Sequence, residues 1–270
     1  MIRSFGKINL SLRVLNKKKK GLHNIETNSF LINLYDEILI SKNKKKKDQI
    51  IFKGKFKNLI KNQKNTVKET LRFLREKHLI DDKKKFKIVI NKKIPVFAGL
   101  GGGSSNAYFV ASNLIKNKLT KTVINGLKKK VGSDLELFRY KKVYQKSLSR
   151  IIKYSKDYRF YFLLVFPNLK CSTKEIYSNV RQFSARSKIN YHRVKNKNKL
   201  LKFLKNEKND LEVVAVKKFP VIRKITSFIY SQKNCYFARM TGSGSACFGV
   251  FNTSLSAKKA MTLFKKKYPN

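Results

Sequence analysis

Acidic residues are scarce in this chain of 270, where 15 Asp and Glu stand against 64 Lys and Arg for a formal charge of +49. Tryptophan is absent, proline occurs four times, and cysteine and methionine three times each. Each shortage closes off a class of protein. The cysteines (Cys171, Cys235, Cys247) are odd in number and lack Cys-x-x-Cys spacing, which argues against a disulfide scaffold or a thiolate zinc site and fits small buried thiols. No apolar run approaches the roughly 20 residues that a membrane span needs. The first twelve residues hold no uninterrupted apolar stretch of the kind a secretory signal requires, so a cytoplasmic location is expected.

What is present is apolar substance under a basic coat. Hydrophobic residues make up 41%, with 20 Phe and 12 Tyr, too much for a disordered basic tail. A chain of this size buries about 70–75% of its unfolded surface, in one large or two modest domains. Only 12 of the basic residues are arginine, the residue that base edges and bidentate phosphate contacts favour. The lysine runs at 17–20, 44–47, 83–85, 128–130 and 265–267 are scattered between apolar segments and form no single block. Lys, Asn, Ile, Phe and Tyr share AT-rich codons, so coding bias accounts for the coat without a specific nucleic-acid partner.

The pattern along the chain interleaves strand and helix. Residues 7–15 alternate at period two, 17–21 read as a turn and 27–40 resume strand character. Val67, Leu71 and Leu74 lie at near-helical spacing within 65–77, and 85–91 alternates again. Ile94-Pro-Val-Phe-Ala-Gly-Leu-Gly-Gly-Gly-Ser-Ser-Asn-Ala107 follows, and beyond it Ala107, Val110, Ala111, Leu114 and Ile115 form an amphipathic stripe with Ser104 or Ser105 as its expected cap. A helix over 120–131 stops at Gly132 and opens into Ser133-Asp134. The lysine- and serine-rich stretch 141–157 marks the expected boundary between domains 1–150 and 151–270. Beyond it we expect a strand at 159–166 and helices at 211–219 and 221–231. Strands at 235–240 and 246–251 then flank Thr241-Gly-Ser-Gly-Ser245, and a helix at 256–267 closes the chain.

The chemistry concentrates in the glycine loop. Glycines permit positive φ and close backbone approach, and unpaired N–H groups at a helix N-terminus attract phosphate. A Walker A loop is excluded, because Gly103 is followed by Ser104-Ser105 with no lysine before the hydroxyl residue.

Pro95-x-x-x-Gly99-Leu-Gly-Gly-Gly-Ser-Ser105 resembles the ATP-binding motif of the GHMP kinases, named for galactose, homoserine, mevalonate and phosphomevalonate. Three further segments resemble the branch whose acceptor is 4-diphosphocytidyl-2-C-methyl-D-erythritol. They are Lys7-Ile-Asn-Leu-Ser-Leu with Gly21-Leu-His-Asn-Ile-Glu-Thr27, Gly132-Ser-Asp134, and Ala238-Arg-Met-Thr-Gly-Ser-Gly244. The four matches occur in family order from Lys7 to Phe251. The resemblance implies an α/β (α+β) fold of two domains, an ATP-binding N-terminal domain and a smaller C-terminal substrate domain closing over a cleft. It implies phosphoryl transfer from ATP to the acceptor's 2-hydroxyl. Mg²⁺ is expected with ATP on chemical grounds, bridging phosphates, and a monomer or weak dimer is expected.

Residue roles follow from the same resemblance. Asp134 would orient or deprotonate the hydroxyl, and Lys7 would hold that carboxylate and stabilise the transferring phosphoryl. Pro95, Ala98, Gly99, Leu100, Gly101, Gly102, Gly103, Ser104 and Ser105 would cradle ATP, with Asn65 and Lys92 as further nucleotide contacts. Asn9, His23, Thr173, Tyr177, Gly242 and Gly244 would face the substrate, His23 contacting the cytosine and Tyr177 stacking on its other side. No dedicated metal-ligand cluster is evident. The chain departs from the family at Leu22, Thr66 and Glu136, where Tyr, Leu and Pro are usual. Two alternatives remain open, a related kinase with another alcohol and a basic RNA-binding protein. The second predicts salt-sensitive polynucleotide binding without ATP turnover.

Overall fold

The structure, a computed structural model, describes residues 1–18, 22–60 and 65–269. The expected turn at 17–21 falls partly outside these residues. In chain order the elements are β1 (Ile2–Lys17), β2 (His23–Lys42), β3 (Gln49–Lys53), α1 (Thr66–Glu76), β4 (Phe86–Asn91), α2 (Gly102–Ile115) and α3 (Lys121–Val131), then a 3-10 segment Ser133–Arg139. There follow β5 (Lys142–Ser147), β6 (Arg150–Lys153), β7 (Tyr161–Val165), α4 (Thr173–Ser178), α5 (Lys197–Lys205), α6 (Asp210–Lys218), α7 (Val221–Tyr230), β8 (Cys235–Met240), β9 (Cys247–Phe251) and α8 (Ser254–Lys267).

Two compact units interleave in sequence. The first comprises Met1–Lys7, Leu31–Val96 and Leu100–Lys141; the second comprises Ile8–Phe30, Phe97–Gly99 and Lys142–Asn270. A single cut near residue 150 does not describe this division, because β1 and β2 each run through both units. The stretch 141–157 is also more than a linker. It forms the hairpin β5–β6, and β5 pairs antiparallel with the first half of β2 from Thr27↔Gln145 to Phe30↔Lys142.

In the first unit the second half of β2 pairs antiparallel with β4, from Glu37↔Asn91 to Lys42↔Phe86, and β3 runs parallel to β4. α1 starts where Asn65 Oδ1 accepts from the N–H groups of Val67 (2.9 Å) and Lys68 (3.3 Å). Its apolar stripe buries Val67 and Leu71 against Ile38, Ile88, Ile90 and Val110, and Phe73 and Leu74 against Ala107, Ala111, Ile124 and Leu127. Gly126 in the middle of α3 serves this packing, since a Cβ there would lie 2.3 Å from the Phe73 ring. Gly→Ala inside a helix ordinarily stabilises by about 1 kcal/mol. Here overpacking reverses the sign, and we expect Gly126→Ala to destabilise by about 1–3 kcal/mol in urea unfolding. A rise in stability would refute the contact.

In the second unit β7, β9 and β8 form an antiparallel sheet, with β9 central. Its core gathers Leu12, Val14 and Ile25 with Leu163, Leu211, Ile222, Ile225, Ile229, Met240 and Phe251, together with the buried thiols of Cys171 and Cys247. Burial pushes the Cys171 thiol up to about 11. The helices and strands expected after residue 158 all form, within two residues at their ends. α4 and α5 were not evident in the sequence pattern.

Candidate active site

In the first unit, Lys7 and Asp134 meet. Lys7 Nζ stands 3.4 Å from Asp134 Oδ2, with the lysine side chain 4% exposed and the carboxylate 34% exposed. The pair is assembled by backbone geometry. Lys7 N–H donates to Leu100 O at 3.0 Å, bringing β1 against the glycine loop. At Gly101, where φ is 70°, a Cβ would lie 2.9 Å from Phe138 and 3.2 Å from Lys7 Cε, so only glycine lets the loop lie along the lysine stem. Gly132, at φ 138°, ends α3 and turns the chain into the 3-10 segment that carries Asp134.

The loop runs into α2, whose N-cap is Gly101. The expectation of a serine cap is therefore corrected. The positive φ of Gly101 starts the helix one turn earlier, and Ser105 is spent inside, donating to Phe5 O at 2.6 Å and pairing with Ser4 Oγ at 2.7 Å. By helix geometry the N–H groups of Gly102, Gly103 and Ser104 have no partner within the helix, and they carry the positive end of its dipole. That arrangement has the chemistry to receive a phosphate beside an ammonium and a carboxylate.

Lys92, expected at the nucleotide, lies beneath the loop. Its ammonium, 3% exposed, donates to Asp36 and, at 3.0 Å, to Asn106 Oδ1. Burial pulls the Lys92 ammonium below its ordinary value, opposed by the charge of Asp36. Asn106 Nδ2 donates to Asp36 Oδ2 and to Ser4 Oγ, both at 2.9 Å. Asn65, the other expected contact, has its side-chain oxygen engaged in capping α1.

In the second unit the Thr241–Ser245 turn is locked from several sides. Asn9 N–H donates to Thr241 Oγ1 at 2.8 Å, and Asn9 Nδ2 donates to Thr27 Oγ1 at 2.9 Å. At Gly242, φ 55°, a Cβ would stand 2.9 Å from Gly99 O and 3.2 Å from Asn9 Oδ1. Gly244 is similarly filled by Met240 Sδ, and the hydroxyls of Thr173 and Ser243 are 2.9 Å apart. Thus Asn9, Gly99, Thr173, Gly242 and Gly244 are held in one network.

His23 and Tyr177 do come together, but as a closed contact. Their ring centroids are 5.1 Å apart at an interplanar angle of 35°. A base stacked between two rings needs about twice a stacking distance, roughly 7 Å. The expected slot between them is therefore filled by their own contact.

Sequence reading missed Asn209. Its Nδ2 donates to Met240 O and Gly242 O, each at 2.8 Å, and its Oδ1 accepts from Leu211 N–H to cap α6. The cap signature Asn-Asp ahead of an apolar helix was the available signal; the link to the glycine turn lies 31 residues or more away. Asn209→Ala should cost about 2–4 kcal/mol by loss of the cap and of two buried carbonyl partners. Thermal unfolding checks this, and a loss below about 0.5 kcal/mol would contradict it.

Among the described residues no group of three His, Cys, Asp or Glu could hold a metal ion, and no helix is long and apolar enough to cross a membrane. Two family models match, the GHMP kinases N terminal domain at residues 65–136 and the GHMP kinases C terminal domain at 189–270. In fold, the chain is similar to a crystal structure of 4-(cytidine 5'-diphospho)-2C-methyl-D-erythritol kinase, with a TM-score of 0.74 at 21% identity over 98% of this chain and 95% of the other. It is also similar to homoserine kinase from Cytophaga hutchinsonii, with a TM-score of 0.70 at 16% identity over 98% and 90%. In sequence it is 40% identical to the 4-diphosphocytidyl-2-C-methyl-D-erythritol kinase of Pelagibacter ubique, across 100% of this chain and 95% of the relative. The like-named protein of Wolbachia pipientis wMel is 32% identical across 99% and 94%. Fold, glycine loop and family models define the class as GHMP kinases, ATP-dependent phosphoryl transferases. The chain belongs to the 4-diphosphocytidyl-2-C-methyl-D-erythritol kinase family within that class.

Proposed function

We propose that this chain transfers the terminal phosphoryl group of ATP to the 2-hydroxyl of 4-diphosphocytidyl-2-C-methyl-D-erythritol, giving the 2-phosphate and ADP in non-mevalonate isoprenoid synthesis. The observation that carries the reading is the Lys7–Asp134 pair at 3.4 Å beside the glycine-loop helix start. Phosphoryl transfer needs chiefly positioning and charge stabilisation. Loop N–H groups from Gly102 to Ser104 hold the nucleotide phosphates, Asp134 takes or directs the hydroxyl proton, and Lys7 orients that carboxylate and faces the developing negative charge. Pro95, Ala98, Gly99 and Leu100 shape the loop. Asn65 and Lys92 act through the elements they hold.

Mg²⁺ fits the donor set as a partner of the nucleotide. The ion is commonly held by one or two carboxylates together with substrate phosphates, and Asp134 supplies one partly exposed carboxylate. When bound with ATP it supplies charge neutralisation across the phosphates.

On the acceptor side, Asn9, Thr173, Gly242 and Gly244 form the polar wall that receives the substrate. His23 and Tyr177 meet the cytosine as a joined pair, on one face or at an edge. We take the enzyme to act in the cytoplasm as a monomer or weak dimer, to be checked by light scattering.

The test is ADP release by purified protein with ATP, Mg²⁺ and the diphosphocytidyl substrate, with homoserine and mevalonate in parallel. Turnover with the cytidine compound alone is the expected result. Turnover only with another alcohol transfers the reading to a sister kinase, and none with any acceptor defeats it.

A further inference from the structure

Glu136 is one of only 15 acidic residues and falls two positions after Asp134, in the 3-10 segment that the site depends on. A second carboxylate so close works against a reaction that gathers negative charge. The structure answers it with Lys128, whose Nζ is 2.7 Å from Glu136 Oε2, the side chains being 12% and 10% exposed. Lys128 belongs to the last turn of α3, where a cation also meets the negative end of the helix dipole. The neighbouring Lys130, by contrast, is 49% exposed and 3.9 Å from Glu76, a solvent-screened pair.

The placement divides the segment's two acids. Successive residues of a 3-10 helix are about 120° apart, so residues two apart point to different sides. Glu136 is held to α3 by Lys128, while Asp134 meets Lys7 on β1. Leu135 between them is fully buried with Phe73, Ala107 and Leu127.

We propose that Lys128 is a positioning residue for the transfer step, acting through Glu136. It holds the Glu136 carboxylate against the end of α3, on a different side of the segment from Asp134, and it cancels the charge that Glu136 would otherwise direct at the transferring phosphoryl. This rests on the reading of Lys7 and Asp134 as the reacting pair. The clamp gives an acidic residue a tolerated place in a segment whose neighbour is the reacting carboxylate.

The experiment measures kcat, KM for ATP and melting temperature for the unaltered protein, Lys128→Met, Glu136→Gln, the two combined, and the exchange Lys128→Glu with Glu136→Lys. Lys128→Met should lower kcat about tenfold, with KM within about twofold, because an uncompensated carboxylate opposes the transition state more than nucleotide binding. Glu136→Gln should lose about threefold or less, and adding it to Lys128→Met should recover most of the loss. A purely structural pair would penalise both single variants alike, in step with their melting temperatures, and that result overturns the proposal. So does Lys128→Met with kcat within twofold of the unaltered protein. If Lys128→Met does not fold, the exchanged pair decides: kcat within about threefold supports the clamp, and a larger loss overturns it. Absence of turnover in the unaltered protein instead defeats the kinase reading itself, and this inference with it.

Discussion

Asp134→Asn should lower kcat about 10³-fold while leaving KM for ATP within about threefold. The substitution keeps shape and size but removes the negative charge that receives or directs the hydroxyl proton, a contribution of about 10²–10⁴ in general-base catalysis. The proposed ATP cradle belongs to the loop, where the glycine conformation of Gly101 and the α2 N-terminus do not depend on Asp134. Stability should scarcely move, because the carboxylate is 34% exposed and its pairing with Lys7 at 3.4 Å is loose. Steady-state ADP release together with a melting curve separates the two effects. A kcat within tenfold of the unaltered protein would remove Asp134 from the reaction and leave the fold assignment standing.

Asp36→Ala should be the most destabilising of the changes considered, lowering stability by about 3–5 kcal/mol through the uncompensated buried charge of Lys92. Asp36 is fully buried and accepts from Lys92, from the N–H groups of Lys93 (2.8 Å) and Ile94 (2.9 Å), and from Asn106. In a chain of this size that loss corresponds to a melting temperature lower by about 10 °C or more. Replacing both Asp36 and Lys92, by Asn and Met, should recover much of the loss, since the stranded ammonium is then absent. A drop below about 3 °C in Asp36→Ala would show that the network contributes little. The same carboxylate fastens Lys93 and Ile94, which lead into the glycine loop, so Asp36→Asn should also raise KM for ATP.

These two residues differ in how far the sequence exposes them. Asp134 follows a helix-stopping glycine inside a recognisable segment, and the loop from Gly99 to Ser105 announces a helix N-terminus built for phosphate. Strand periodicity at 7–15 and 85–91 and the stripe through Ala107 and Ile115 are local signals, set by neighbours within a turn or two. Asp36 had no such signal, because its four partners come from Lys92, Lys93, Ile94 and Asn106, more than 50 residues away. The link from Asn209 to the glycine turn was hidden for the same reason, although its helix cap is local. The hairpin β5–β6 was masked by its lysines and serines, which line a strand pair whose stability comes from β2.

Two expectations were changed by packing alone. Ser105 reads as a helix cap until Gly101 is seen to start the helix, and His23 and Tyr177 read as the walls of a slot until their rings are found in contact. Neither outcome follows from residue type.

By itself, the sequence determined the kinase family and the order of strand, glycine loop and helix, and by motif it singled out the lysine and aspartate proposed to react. Tertiary structure alone decided which of the 52 lysines leave solvent. By composition Lys7, Lys92 and Lys128 are three among many, yet each is buried or nearly so against a carboxylate on another segment of the chain. The physical reason is that burying an ammonium is costly unless an opposite charge meets it, and only the folded chain brings the two together.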